Sequence, residues 1–123
     1  MEELKVSIRP KIKFDGSIEN GSQEEIFQNS ILRPIIKMQH DLLVAFFQNY
    51  LQRTKVDFLE LSSFKKTELI SNIFKNDIRF KVELRGLIIG HFTLKEYNEY
   101  QDMAPEINKR MVAMIKKRLL SVN

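Results

Sequence analysis

Hydrophobic positions recur every three or four residues from Ser22 onwards, a helical period, whereas the start of the chain alternates with a period of two. In the alternating part, Leu4, Val6, Ile8, Ile12 and Phe14 stand between polar residues, and Pro10 limits the run to an edge strand or an extended arm. Asp15-Gly16 and Asn20-Gly21 then read as turns. Residues 1–21 are therefore expected to form an extended N-terminal arm, packed on the body or on a neighbouring subunit, ahead of a helical bundle domain over 22–123.

Within the helical part, Ser22 and Glu25 have the spacing of a capping box. Pro34 lacks the N–H that would bond back to Ser30, so the pattern predicts a break there, with Ser30 capping a second helix that runs to about Arg53. That helix is apolar on most sides, through Ile35, Ile36, Leu42, Leu43, Phe46, Phe47, Tyr50 and Leu51, which marks it as the central one. Ser62 or Ser63 can cap a third helix with Leu69, Ile70, Ile73 and Phe74 on its face, and Asp77 a fourth ending near Gly90. Ile78, Phe80, Val82 and Leu84 alternate as in a strand, but the continuation through Arg85 to Gly90 does not, and helix is the expectation. Thr93 with Glu96 forms a second capping box, with Phe92 and Tyr97 at the positions of a hydrophobic staple, and this helix is expected to end near Asp102 or Met103. Pro105 opens the last helix, whose stripe is Ile107, Met111, Met114, Ile115, Leu119 and Val122. The fold class expected is all-α: a compact bundle of five or six helices with an extended N-terminal arm.

Charge changes this picture at one end only. The net charge is +4, and residues 104–123 carry all of it, with Lys109, Arg110, Lys116, Lys117 and Arg118 against Glu106 alone. Lys109 and Lys116 are seven apart, as are Arg110 and Lys117, so these four share the face opposite the apolar stripe. They form either a docking face for an acidic protein partner or a solvated surface. Aromatic residues for stacking on bases are not interleaved with them, which disfavours nucleic acid. A helix-turn-helix over Asp77–Asp102 would present Glu96, Glu99 and Asp102 to phosphates, the wrong sign.

The chain's 123 residues suffice for one domain that buries about two-thirds of its unfolded surface, around aliphatic residues and nine Phe. The absence of Cys excludes a disulfide framework, thiolate zinc sites and a Cys nucleophile. Met1-Glu-Glu-Leu-Lys5 makes a poor secretory start, and the longest apolar run, Leu42–Phe47, is six residues where a span needs about 20. No membrane association and a cytoplasmic location are expected.

Candidate chemistry is sparse. His40 and His91 are the only two histidines and share no metal-ligand spacing. His40 sits beside apolar positions of its helix, and His91 can bond helix-end carbonyls. Gln39 falls among apolar residues and needs hydrogen-bond partners, from the backbone or in a bundle cavity. Gly86 and Gly90, four apart, would let another helix approach closely. No catalytic, cofactor-binding or metal-binding residue is assigned.

Four stretches carry a family resemblance: Glu25-Ile-Phe-Gln-Asn-Ser-Ile-Leu-Arg-Pro-Ile-Ile-Lys37, Leu84-Arg-Gly-Leu-Ile-Ile-Gly-His-Phe-Thr93, Glu96-Tyr-Asn-Glu-Tyr100 and Asn108-Lys-Arg-Met-Val-Ala-Met114. Over residues 4–120 or so the chain resembles a family of small, mostly helical bacterial proteins, some of which bear the label glyoxalase. Gln28 to Pro34 is the most specific part. The resemblance brings no catalytic residues with it. Glyoxalase I-type domains use βαβββ modules and glyoxalase II-type enzymes a His-rich motif, and a helical chain with two isolated histidines fits neither. The expectation is a non-enzymatic interaction or oligomerisation module, with a homodimer using the arm and an apolar helix face. The alternatives are a metal- or small-molecule-dependent enzyme of glyoxalase-like activity and a nonspecific nucleic-acid-binding accessory.

Overall fold

Four helices begin where a short polar side chain takes up a free N–H of the first turn. In the computed structural model, which describes residues 2–11 and 21–121, Ser22 Oγ accepts from Glu25 N (3.1 Å), Ser62 Oγ from Lys65 N (3.2 Å), Asp77 Oδ1 from Phe80 N (3.0 Å) and Thr93 Oγ1 from Glu96 N (3.1 Å). Only Thr93 has the reciprocal bond of a full box, because Glu96 Oε1 accepts from Thr93 N at 2.9 Å. The helical segments are α1 (Glu2–Ser7), α2 (Gln23–Phe27), a π turn (Gln28–Leu32), α3 (Arg33–Met38), α4 (His40–Arg53), a 3-10 turn (Phe58–Glu60), α5 (Ser63–Asn76), α6 (Ile78–Ile89), α7 (Leu94–Asp102) and α8 (Ala104–Ser121). Among the described residues there is no strand, and the fold is an all-α bundle.

The break expected at Pro34 is not there. Backbone angles stay right-handed from α2 through the π turn into α3, and Arg33 N–H bonds back five residues to Gln28 O. The widened turn carries the helix past a ring that would otherwise crowd the carbonyl of the preceding turn. Ser30 caps nothing; its Oγ donates to Ile26 O at 2.6 Å. The chain bends instead at Gln39 (φ −89°, ψ 10°), which joins α3 to α4.

The centre of the bundle is also elsewhere than the apolar count suggested. Of the segment expected to be central, Leu32, Pro34, Ile35, Ile36, Leu43, Phe47 and Leu51 are buried, but it is divided among the π turn, α3 and α4, and Leu42 is 47 % exposed. Ile107, Met111, Ile115 and Leu119 of α8, one per turn, are wholly buried, and α8 touches α2, the π turn, α4, α5, α6 and α7. The last helix is the axis of the fold, the others packing around its apolar stripe. Val122 lies outside the described residues.

In α6, Phe80, Leu84 and Ile88 are buried while Ile78 and Val82 face solvent, so the alternation divides between two helical faces. The Phe92 ring packs edge-on to Phe27 (5.5 Å) and tilted against Tyr100 (5.5 Å), so the inward partner of Phe92 on α7 is Tyr100, with Tyr97 38 % exposed. At the end of α4, Val56 N bonds to Leu51 O and Lys55 N to Gln52 O, a Schellman closure with Lys55 in the left-handed region (φ 56°).

The start of the chain departs from the extended reading: Glu2–Ser7 is a short helix with no buried residue. Leu4, Val6 and Ile8 are 62 %, 51 % and 56 % exposed, so their alternation does not mark one buried face. Polar contacts hold the segment instead. Lys5 Nζ donates to Phe92 O (3.0 Å), Glu2 Oε2 accepts from Leu94 N (2.8 Å), and the Arg9 guanidinium meets Glu96 (2.7 and 2.8 Å) and His91 O (2.6 Å). Burial pushes the Glu96 carboxyl up, but the Arg9 guanidinium and the Thr93 N–H and hydroxyl outweigh it and hold the group below its usual range. Ile12, Phe14 and the turns expected at Asp15-Gly16 and before Gly21 lie outside the described residues.

Candidate functional site

Where α5, α6 and α8 meet, their outward faces leave a groove of about 660 Å³. Its apolar surface comes from Phe74 and Ile70 of α5 and from Pro105, Val112, Ala113 and Leu120 of α8. Around this strip stand Lys75, Lys81, Arg85, Lys109, Lys116 and Lys117, and among the described residues no Asp or Glu lines it. A surface with both signs interspersed is the ordinary state of a soluble domain, so six cations with no Asp or Glu among the described lining residues make a positive concavity. Lys116 Nζ lies over the Phe74 ring at 5.7 Å, which aims the charge across the apolar strip. Arg85 joins no ion pair between described residues, and its Nε is buried without a hydrogen-bond partner.

Of the four basic residues singled out on the last helix, Lys109, Lys116 and Lys117 line this groove. Arg110 turns to the other side of α8, where its Nε donates to Glu106 (3.0 Å) and its NH1 to Gln28 Oε1 (2.9 Å). The seven-residue spacing placed Arg110 and Lys117 on one stripe; Arg110 is drawn to Gln28, whereas Lys117 stands between the groove and a second hollow of about 410 Å³, which Gln28, Arg33 and Arg118 also border.

The polar residues of interest are not gathered at the groove. Gln39 Nε2 donates to Leu87 O (3.2 Å), a carbonyl in the last turn of α6 whose usual partner, His91 N, bonds to Ile88 O instead. His40 Nδ1 faces Arg118 NH1 at 3.1 Å, across from the end of α8, so that ring nitrogen is the acceptor. His91 lies at the α6–α7 junction, where its main-chain oxygen accepts from Arg9. The two histidines thus serve separate elements, and among the described residues no three His, Asp or Glu side chains converge on a metal-sized site.

Sequence reasoning missed Lys75, Lys81 and Arg85. Residues 1–103 sum to zero charge, which hides local clustering. The signal was present in the spacing: Lys81 and Arg85 stand one helical turn apart, and Lys75 follows the core residue Phe74. That α5 and α6 flank α8 on its lysine side is tertiary information. No helix among the described residues is long and apolar enough to cross a membrane. No protein-family model, curated protein or solved structure matches this chain.

Proposed function

We propose that the protein is a non-enzymatic docking module that receives an acidic segment of another protein in the groove between α5, α6 and α8. The supporting observation is the pairing of an apolar strip with six surrounding cations and no Asp or Glu among the described lining residues. A nucleic-acid backbone would use the charge but leave Val112, Ala113 and Leu120 without apolar partners. An acidic protein segment can use both, because charge complementarity steers association and apolar contact retains the partner.

Replacing Lys109, Lys116 and Lys117 together by Gln tests the reading. At about 0.2–1 kcal/mol for each exposed ion pair, the loss sums to roughly 0.6–3 kcal/mol, about a three- to 150-fold weakening in binding of a peptide of Glu and Leu. The apo protein should keep its circular dichroism, with an unchanged or higher Tm, since removing mutually repelling charges relieves the fold. Peptide binding at wild-type strength in the triple variant would falsify the reading, and so would preferential capture of a DNA duplex. Homodimerisation is a separate proposal, supported by the exposed Leu4, Val6 and Ile8 of the N-terminal segment. Light scattering that gives a strict monomer at micromolar concentration removes it.

A further inference from the structure

We infer that the occupant of the groove is an amphipathic helix whose carboxylates recur every seven residues between apolar positions, with one carboxylate gripped by Arg85. This rests on the docking role proposed above and names the partner's chemistry.

Along the groove wall formed by α8, apolar and cationic positions alternate turn by turn: Pro105, then Lys109, then Val112 and Ala113, then Lys116 and Lys117, then Leu120. At 1.5 Å per residue, Lys109 and Lys116 stand about 10.5 Å apart along the axis, with the apolar pair midway. A second helix laid alongside has the same rise. Its carboxylates seven residues apart therefore reach both lysines, while its intervening residues cover Val112 and Ala113. An extended segment spans the same distance in about three residues, which sends successive carboxylates to opposite faces. Helical periodicity in the wall thus selects a helical ligand. From Pro105 to Leu120 the wall is about 22 Å long, room for roughly four turns.

Arg85 supplies the point of fixed geometry. It faces α8 from α6, one turn beyond Lys81, with its Nε shut away from water and unpartnered. Enclosure of Nε restricts the side chain, and a guanidinium presents a planar fork that a carboxylate matches with two parallel bonds. The five lysines are point charges on flexible stems and offer no such directional fork. Arg85 is accordingly the positioning cation, and the lysines supply attraction along the length of the groove.

The test uses two fluorescein-labelled 16-residue peptides of identical Glu, Leu and Ala content, one with Glu at seven-residue spacing between Leu positions and one scrambled. Fluorescence anisotropy against the full chain at low and physiological salt should show the phased peptide binding at least tenfold tighter. Amide shifts in the NMR spectrum should concentrate at Ile70, Phe74, Val112 and Ala113. Arg85→Gln and Arg85→Lys should each weaken the phased peptide about tenfold while leaving the scrambled one unaffected, and Tm checks that both variants are folded. Equal binding of the two peptides, both weakened by the triple lysine variant, overturns the helical occupant while leaving the docking role intact. Wild-type binding by Arg85→Lys overturns the carboxylate fork. Failure of both peptides to bind removes the docking role itself.

Discussion

Glu96 joins three parts of the molecule, and replacing it should cost more than any other single surface carboxylate. Its oxygens complete the Thr93 cap of α7 and receive two bonds from Arg9, at 2.7 and 2.8 Å. The two side chains are only 7 % and 14 % exposed. Breaking a fully buried ion pair by removing one partner costs about 3–5 kcal/mol, because the other charge is left stranded. Here the ceiling is lower: α1 buries no residue, so the N-terminal segment can lift away and rehydrate Arg9. For Glu96→Gln the expectation is therefore about 2–3 kcal/mol, combining charge-assisted hydrogen bonds with a weakened cap. At roughly 4 °C per kcal/mol for a chain of this size, Tm should fall by about 8–12 °C. Arg9→Gln should cost a similar amount, and the double variant little more than either alone, a coupling of about 2 kcal/mol. Thermal unfolding by circular dichroism measures all four corners of the cycle. Hydrogen exchange at the Leu94 amide, bonded to Glu2, reads detachment of the segment directly. Single effects that add to within about 0.5 kcal/mol, or an Arg9→Gln protein with unchanged Tm, would show that the pair does not act as a unit.

The same carboxylate sets a pH dependence. Its folded-state pKa lies below the unfolded value of about 4.3, so its contribution is fully present above that pH and is lost as pH falls through the folded value. The Tm gap between wild type and Glu96→Gln should therefore be constant from pH 7 to about 5 and close on further acidification; a gap that widens in acid reverses the assignment. Two backbone exchanges should both stabilise. Gly86→Ala adds a Cβ that meets nothing within 4 Å on an exposed helical turn, worth about 0.5–1 kcal/mol, and Lys55→Gly relieves a left-handed residue by about 1 kcal/mol. A lower Tm for Gly86→Ala would restore the close helix approach that the spacing of Gly86 and Gly90 suggested.

The sequence announces helix starts well because capping is local: Ser22, Ser62, Asp77 and Thr93 act within three residues of themselves. It announces helix stops badly where relief comes from backbone geometry. Pro34 signals a break, yet a π turn absorbs the missing N–H, and the true bend falls at Gln39, whose side chain bonds Leu87 on another helix. Centrality misleads for a related reason. Apolar count favoured the helix through Phe46 and Phe47, but a helix can be apolar all round and still expose Leu42, whereas the narrow stripe of α8 is enclosed along its whole length.

The groove follows the same logic one level up. Three of its cations, Lys109, Lys116 and Lys117, are legible as a periodic face of one helix; the other three become part of the site only when α5 and α6 close on α8. Their repulsion works against folding, and no Asp or Glu among the described lining residues offsets it. Packing alone gives no reason to concentrate six like charges around an apolar strip, because the core residues behind them would be equally well covered by neutral or mixed side chains. The cost is recovered only when an oppositely charged partner is present, so stability and binding should respond in opposite directions to neutralising the lysines. A purely structural surface would show no such opposition.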